Sequence, residues 1–264
     1  MTFLRSMADD LPLQEWLNEQ VFPNEAKLKG EEAYLFAKIA IMEYLTSGIT
    51  SAFDMYIYPK EVIQACVDCG FRIVQVSGLN NFTSSLEELE EQYVTYNDYH
   101  ELCSYKLGFH AEYTTDKKLL EGLAGLSEKY HAPVYTHNSE TKREVEECRQ
   151  RYGKSPTQLF EEMGLYRYGG GGYHCIWFDD EDIDIFAKRN LSVVTNPASN
   201  LKLASGIAPL KKMQEAGINL AIGTDGPASN NCLDMFREMF LVTGLAKLRE
   251  HDAAVMDAND VLYM

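Results

Sequence analysis

Three histidines and one aspartate fall where short apolar runs of the chain come to an end. His110 closes Lys106-Leu-Gly-Phe-His, His137 closes Ala132-Pro-Val-Tyr-Thr-His, and Asp225 closes Ile218-Asn-Leu-Ala-Ile-Gly-Thr-Asp. His174 stands in Gly-Gly-Tyr173-His-Cys-Ile-Trp. A single histidine is more often a packed or solvated residue than a ligand. Four polar groups at matching points of successive runs read differently, because the catalytic side chains of parallel barrels gather at the carboxyl ends of the strands. His137 and Asp225 together offer a neutral imidazole and a carboxylate, a donor pair suited to a divalent cation. Glu140 follows His137 by three residues and is placed to carry a proton beside such a cation. A carboxylate there also suits a helix N-terminus, and both roles can hold at once.

The elements that must position these residues alternate. Compact apolar runs at 49–54, 71–77, 105–110, 133–137, 173–177, 191–195 and 218–224 read as strands buried on both faces of a parallel sheet. Helix signals lie between them. Pro59 opens a helix that Gly70 stops, Ser84 with Glu87 reads as a capping box, and Pro156 after Ser155 opens another helix. Asp179 to Asp182 load a further N-terminus with negative charge. Alternation without a break in composition predicts one parallel α/β domain over 1–264. A closed barrel of this type has eight strands, whereas the first fifty residues hold only helical periodicity, at 11–22 and 31–45. Gly169 to Gly172 lack the Lys-Ser/Thr of a phosphate loop and read as a flexible lead into the strand at 173–177. Cys66 and Cys69 share a predicted helix and have no partner motif, so they read as ordinary thiols.

Charge narrows the function. With 24 basic and 40 acidic side chains among 264 residues the net charge is −16, which argues against a nucleic acid or an anionic membrane surface as partner. No apolar run approaches the ~20 residues of a membrane span. Asp9-Asp10 interrupts the start where a secretory leader is apolar, so the expectation is a cytoplasmic protein with a small-molecule substrate, in which a homo-oligomer is allowed.

Five segments carry a resemblance. They are Asp10-Leu-Pro-Leu-Gln-Glu-Trp-Leu17, Phe22-Pro-Asn-Glu25, Thr136-His-Asn-Ser-Glu-Thr141, Asn196-Pro-Ala-Ser-Asn-Leu-Lys-Leu-Ala-Ser-Gly-Ile-Ala-Pro209 and Gly223-Thr-Asp-Gly-Pro-Ala-Ser-Asn-Asn231. With them the chain resembles the amidohydrolase superfamily, in its aminohydrolase and chlorohydrolase branch, and most of all the methylthioadenosine/S-adenosylhomocysteine deaminases. The resemblance implies a (β/α)8 barrel of the TIM type and a divalent metal, zinc first and iron second, held by His137 and Asp225. It implies that Glu140 holds and protonates a ring nitrogen, that His174 stabilises the attacking hydroxide, and that Asp225 also takes a proton from the attacking water. His110 and Glu25 would contact substrate together with Glu140. The reaction implied is hydrolytic deamination of an adenine nucleoside, namely adenosine, methylthioadenosine or S-adenosylhomocysteine. Guanine, a pyrimidine or a chlorinated triazine is the alternative ring, and a chain left inactive by its shortening, or a remnant without catalysis, is the alternative to an enzyme.

The chain departs from the family in three ways. Relatives carry a metal-binding His-x-His at the end of their first strand, and the six histidines here (100, 110, 131, 137, 174 and 251) contain no such pair. The expectation is therefore a barrel without its first strand and without the accessory β-sandwich of the relatives, a piece shortened at both ends. Relatives that bind an amino-acid tail often carry arginine where this chain has Ser77, and another near Ser85, so no clamp for a substrate carboxylate is evident. Substrates with an uncharged tail thereby become as plausible as S-adenosylhomocysteine.

Overall fold

The computed structural model describes residues 1–264. Helical segments come first: α1 (Leu13–Glu15), a π-helical stretch (Trp16–Val21), α2 (Phe22–Glu25) and α3 (Gly30–Thr46). Strands and helices then alternate as β1 (Ser51–Met55), α4 (Pro59–Asp68), β2 (Arg72–Val76), α5 (Leu86–Asn97), β3 (Cys103–Gly108), α6 (Lys117–Tyr130) and β4 (Val134–Asn138). They continue as α7 (Lys142–Tyr152), α8 (Pro156–Glu162), β5 (Gly170–His174), α9 (Asp180–Arg189), β6 (Ser192–Thr195), α10 (Pro197–Lys202), α11 (Leu210–Glu215) and β7 (Asn219–Ile222). The chain closes with α12 (Pro227–Asn230), α13 (Met235–Glu250) and α14 (Ala258–Leu262).

All seven strands pair in parallel and in sequence order. The sheet curls strongly, because the Phe53 ring on β1 lies 4.9 Å from that of Tyr135 on β4 and 6.0 Å from that of Tyr173 on β5. Strands four places apart touch only when a sheet bends round an interior. The edges β1 and β7 do not pair with each other, so the architecture is a curled half-barrel, one strand short of a closed (β/α)8 barrel. The helices cover the outer face. Leu107, Val134 and Val193 from the strands pack with Leu123, Phe160, Phe186 and Met213 from the helices in the largest core cluster. A smaller cluster joins Ile63 and Cys66 of α4 to Ile73 and Tyr105 of β2 and β3.

Local chemistry explains most of the boundaries. Pro59 occupies the first turn of α4, and Gly70 leaves that helix at φ +67°. Asp179 and Asp182 cap each other at the start of α9 through bonds of 3.0 and 3.1 Å to backbone N–H groups. All six cysteines are free thiols.

Three local expectations need correction. Ser85, not Ser84, caps α5 by accepting from Glu88 N at 3.2 Å, while Ser84 closes the preceding turn by accepting from Asn80 N. The glycines after Gly169 are not a flexible lead, because Gly170 to Gly172 form β5 itself. A Cβ at Gly170 would stand 1.9 Å from Val134 O, and one at Gly171 would stand 2.4 Å from Ser192 O. Their neighbours β4 and β6 approach too closely for side chains. That strand also stops at His174, short of Trp177, because His174 and Cys175 turn left-handed at φ +67° and +50°.

Candidate active site

The C-terminal ends of the strands open onto one cavity of about 1700 Å³, lined by His110, His137, Glu140, His174, Asp225 and Glu25. Every site residue expected from the sequence thus faces the same space. His137 is the fourth residue of β4, and its Nδ1 lies 2.7 Å from the carbonyl oxygen of His110. A carbonyl can only accept, so Nδ1 carries the proton and Nε2 keeps its lone pair free. His174 is fixed the same way, with Nδ1 donating to Asn200 Oδ1 at 2.7 Å. His110 shares a 3.0 Å hydrogen bond with Thr114 Oγ1. The three imidazoles form a row, with ring centres 4.9 Å apart for His110 and His137 and 5.6 Å apart for His137 and His174. Burial, and then the neighbouring His137, drives the pKa of His110 down to about 3. Burial, and then His174, lowers that of His137. Both rings are neutral at ordinary pH, the form in which an imidazole binds a metal or accepts a proton.

Asp225 lies beyond β7 with φ +56°. Its Oδ2 accepts from Ser199 Oγ at 2.6 Å and Ser229 Oγ at 2.9 Å, and its Oδ1 accepts from Gly226 N at 2.7 Å. Burial pushes this carboxyl up, but His174, the Ser199 hydroxyl, His137 and the Gly226 N–H together outweigh it, and the group sits below the usual aspartate range. Glu140 is buried, accepts from Ser205 Oγ at 3.2 Å, and brings Oε2 to 3.8 Å from His174 Nε2. It precedes the Thr141 cap of α7 and is not itself helical. Glu25 ends α2 half-buried at the cavity, its carboxyl raised by burial against a hydrogen bond from Tyr56. Four residues at these strand ends, Ser139, His174, Cys175 and Asp225, have positive φ. Backbone strain of this kind persists where surrounding contacts over-determine it, and it clusters at functional sites.

The residues fit a divalent cation in kind. His137 presents Nε2 while its Nδ1 is held by a carbonyl, a usual outer-shell arrangement for a histidine ligand, and Asp225 presents a hydrogen-bonded carboxylate. No third His, Cys, Asp or Glu stands close enough to complete a set of three.

The supporting residues escaped the sequence reading. Asn200 orients His174, Ser199 and Ser229 hold Asp225, and Ser205 reaches Glu140. All four lie in segments already singled out, yet spacing alone does not say which cavity group a serine will meet. Asp54 had a clearer signal, since it too closes an apolar run. It lies near the end of β1 on the cavity wall, its carboxyl raised by burial and by the charge of Asp225 against the pull of the chain's amino terminus. Ser77 lines the cavity, whereas Ser85 is taken up in capping α5.

The structure is thus a curled parallel α/β sheet with histidines, an aspartate and a buried glutamate gathered around one cavity at its strand ends. The chain belongs to the amidohydrolase family, whose pattern matches residues 1–264. It is similar to the 5-methylthioadenosine/S-adenosylhomocysteine deaminase of Pyrococcus furiosus, 38% identical over 272 residues, covering 100% of this chain and 65% of the relative. A 5'-deoxyadenosine deaminase of Methanothermobacter thermautotrophicus is also 38% identical, over 271 residues, covering 100% of this chain and 64% of the relative. Among solved structures, an adenosine deaminase from Xanthomonas campestris with bound zinc superposes with a TM-score of 0.93 at 34% identity, over 99% of this chain and 61% of that one. A guanine deaminase from C. acetobutylicum shares the fold, with a TM-score of 0.92 at 21% identity over 100% of this chain and 68% of the other. The chain spans just under two thirds of the length of the two curated relatives.

Proposed function

We propose that these residues serve metal-assisted hydrolytic deamination of an adenine nucleoside. Water adds to the ring carbon that bears the amino group, ammonia leaves, and the ring is left with a carbonyl at that carbon. The observation that carries the reading is the buried carboxylate of Glu140, set between Ser205 Oγ and His174 Nε2 on the cavity wall. The relatives named for methylthioadenosine and 5'-deoxyadenosine support the choice of ring.

His137 Nε2 and the Asp225 carboxylate would hold a divalent cation, zinc or else iron, which when bound would supply Lewis acidity that lowers the pKa of water toward neutrality. Asp225, held against its burial below the usual aspartate range by His174, the Ser199 hydroxyl, His137 and the Gly226 N–H, accepts the proton that the attacking water gives up. His174, with Nδ1 engaged by Asn200, turns the lone pair of Nε2 to the cavity and accepts a hydrogen bond from the incoming oxygen. Glu140 delivers a proton to the ring nitrogen beside the reacting carbon and takes one back from the added hydroxyl as the carbonyl forms, while the proton held by Asp225 goes to the departing amino group. Glu25 accepts from substrate hydroxyls, and His110 packs beside the substrate at the cavity wall.

The test is a substrate panel at excess zinc: adenosine, methylthioadenosine, 5'-deoxyadenosine and S-adenosylhomocysteine against guanosine, cytidine and a chlorinated triazine. Ammonia release confined to the adenine compounds is expected. Turnover of the guanine, pyrimidine or triazine compound alone would overturn the choice of ring.

A further inference from the structure

Glu144 is a buried carboxyl group that the reaction does not use. It lies in the first turn of α7, is 2% exposed, and spends both carboxyl oxygens on backbone N–H groups. Oε1 accepts from Ser139 N at 3.1 Å and Oε2 accepts from Glu140 N at 2.8 Å. Helix capping does not require it, because Thr141 Oγ1 already accepts from Glu144 N at 3.2 Å. Burying a carboxyl group is costly, and what this one holds is the left-handed turn at Ser139, φ +50°, between His137 and Glu140.

That turn needs holding. A non-glycine residue at positive φ costs on the order of 1–3 kcal/mol and persists only where its surroundings fix it. The carbonyls of Asn138 and Ser139 are taken by Cys175 N and Trp177 N, at 3.0 Å each, so the outer side of the turn is tied to the segment carrying His174. Its inner side, the two successive N–H groups, is tied only to Glu144. We propose that Glu144 is a positioning residue for Glu140: by gripping the backbone of Ser139 and Glu140, it sets the turn that aims the Glu140 carboxylate at His174 and Ser205. The claim rests on Glu140 being the proton carrier. It assigns Glu144 no contact with substrate.

The experiment is a double-mutant cycle with Glu144→Gln and Glu140→Gln, assayed on adenosine and methylthioadenosine at excess zinc. The glutamine keeps one acceptor oxygen and turns an NH2 group toward the second backbone N–H. A misplacement on the order of 1 Å costs up to roughly 10²-fold in rate, so E144Q should lower kcat by about 10- to 100-fold with KM within about threefold. Added to E140Q, it should change kcat by less than about twofold, because contributions made through one group do not add. A loss carried wholly by KM, or one that persists in full on the E140Q background, would overturn the proposal. Should E144Q fail to fold, pairing it with Ser139→Gly removes the left-handed cost; that pair should fold and remain slow, and wild-type kcat in it would overturn the proposal. Absence of turnover in the unsubstituted chain would count against the deaminase reading. The positioning claim would then be decided by a crystal structure of E144Q, or of its pair with Ser139→Gly: displacement of Glu140 Oε2 from its 3.8 Å approach to His174 Nε2 supports it, and an unmoved carboxylate overturns it.

Discussion

Replacing Glu238 with alanine should destabilise the chain more than any change at its surface. Glu238 lies in the first turn of α13, fully buried, and joins two segments of the site. Oε2 accepts from Ala198 N at 3.0 Å, at the start of the helix that carries Ser199 and Asn200. Oε1 accepts from Asn230 Nδ2 at 2.7 Å, and that amide also donates to the carbonyl of Thr224, beside Asp225. Alanine leaves two buried donors without this acceptor, at about 1–3 kcal/mol each. Relief of the carboxyl's own burial offsets part of that, so a net loss of about 2–4 kcal/mol is expected, a large share of the roughly 5–15 kcal/mol that holds a domain folded. Urea unfolding at pH 7, followed by tryptophan fluorescence and circular dichroism, would show the midpoint falling by roughly 1–2 M for an ordinary m-value. Glu238→Gln should fall between the two. It keeps an oxygen for Ala198 but points an NH2 group at Asn230, which cannot flip without losing its 3.0 Å bond from Arg237. A loss below about 0.5 kcal/mol in the alanine variant would refute the idea that this carboxylate ties the two segments together.

Other outcomes follow from the same geometry. Glu140→Gln should leave zinc binding within a few-fold of the parent while His137→Ala abolishes it, measured by competition with a chromophoric chelator; equal loss in both would show that the ligands are wrongly assigned. Zinc should bind weakly, because His137 and Asp225 supply two donors where catalytic zinc sites usually have three; tight stoichiometric zinc in the dialysed chain would mean that other residues complete the site. Burial raises the Glu144 carboxyl to about 8 in the folded chain, against 4.5 for an ordinary glutamate. Between those values the folded chain keeps a proton that the unfolded chain has lost, so this contribution to stability is complete below pH 4.5 and is lost as pH rises through about 8. Glu144→Gln should flatten the corresponding fall in unfolding free energy across that window, and an unchanged slope would contradict it.

The strands were legible because the strands of a parallel sheet covered by helices are rich in apolar residues, and each of the seven lies within a residue or so of its expected place or overlaps it. The expected burial on both faces fails at β1, an edge of the sheet, where no residue is buried and Phe53 is 40% exposed. The exception at β5 is instructive. Gly170 to Gly172 lack the side chains by which a strand announces itself, and the closeness of Val134 O to Gly170, Ser192 O to Gly171 and Cys175 Sγ to Gly172 explains why glycine is there. The cavity-facing residues were legible for a related reason, since a polar residue ending an apolar run stands out. Asp54 ends such a run and could have been chosen on the same ground. Glu144, Asn200, Ser205 and Glu238 could not. Each is an ordinary polar residue in a loop or on a helix, and its partner is a backbone N–H or a side chain whose nearness depends on how the sheet curls. The π-helical turn at Trp16–Val21, inside a segment that reads as a plain helix, was hidden in the same way.

The most direct test of the central claim is zinc-dependent ammonia release from adenosine and methylthioadenosine by the 264-residue chain and by its Glu140→Gln variant. The two are followed side by side at excess zinc, with the product ring identified by its ultraviolet spectrum. Turnover that needs zinc and falls by roughly 10²–10⁴-fold in the variant is the predicted result. Release that survives the substitution undiminished would contradict the account, as would no release at any zinc concentration.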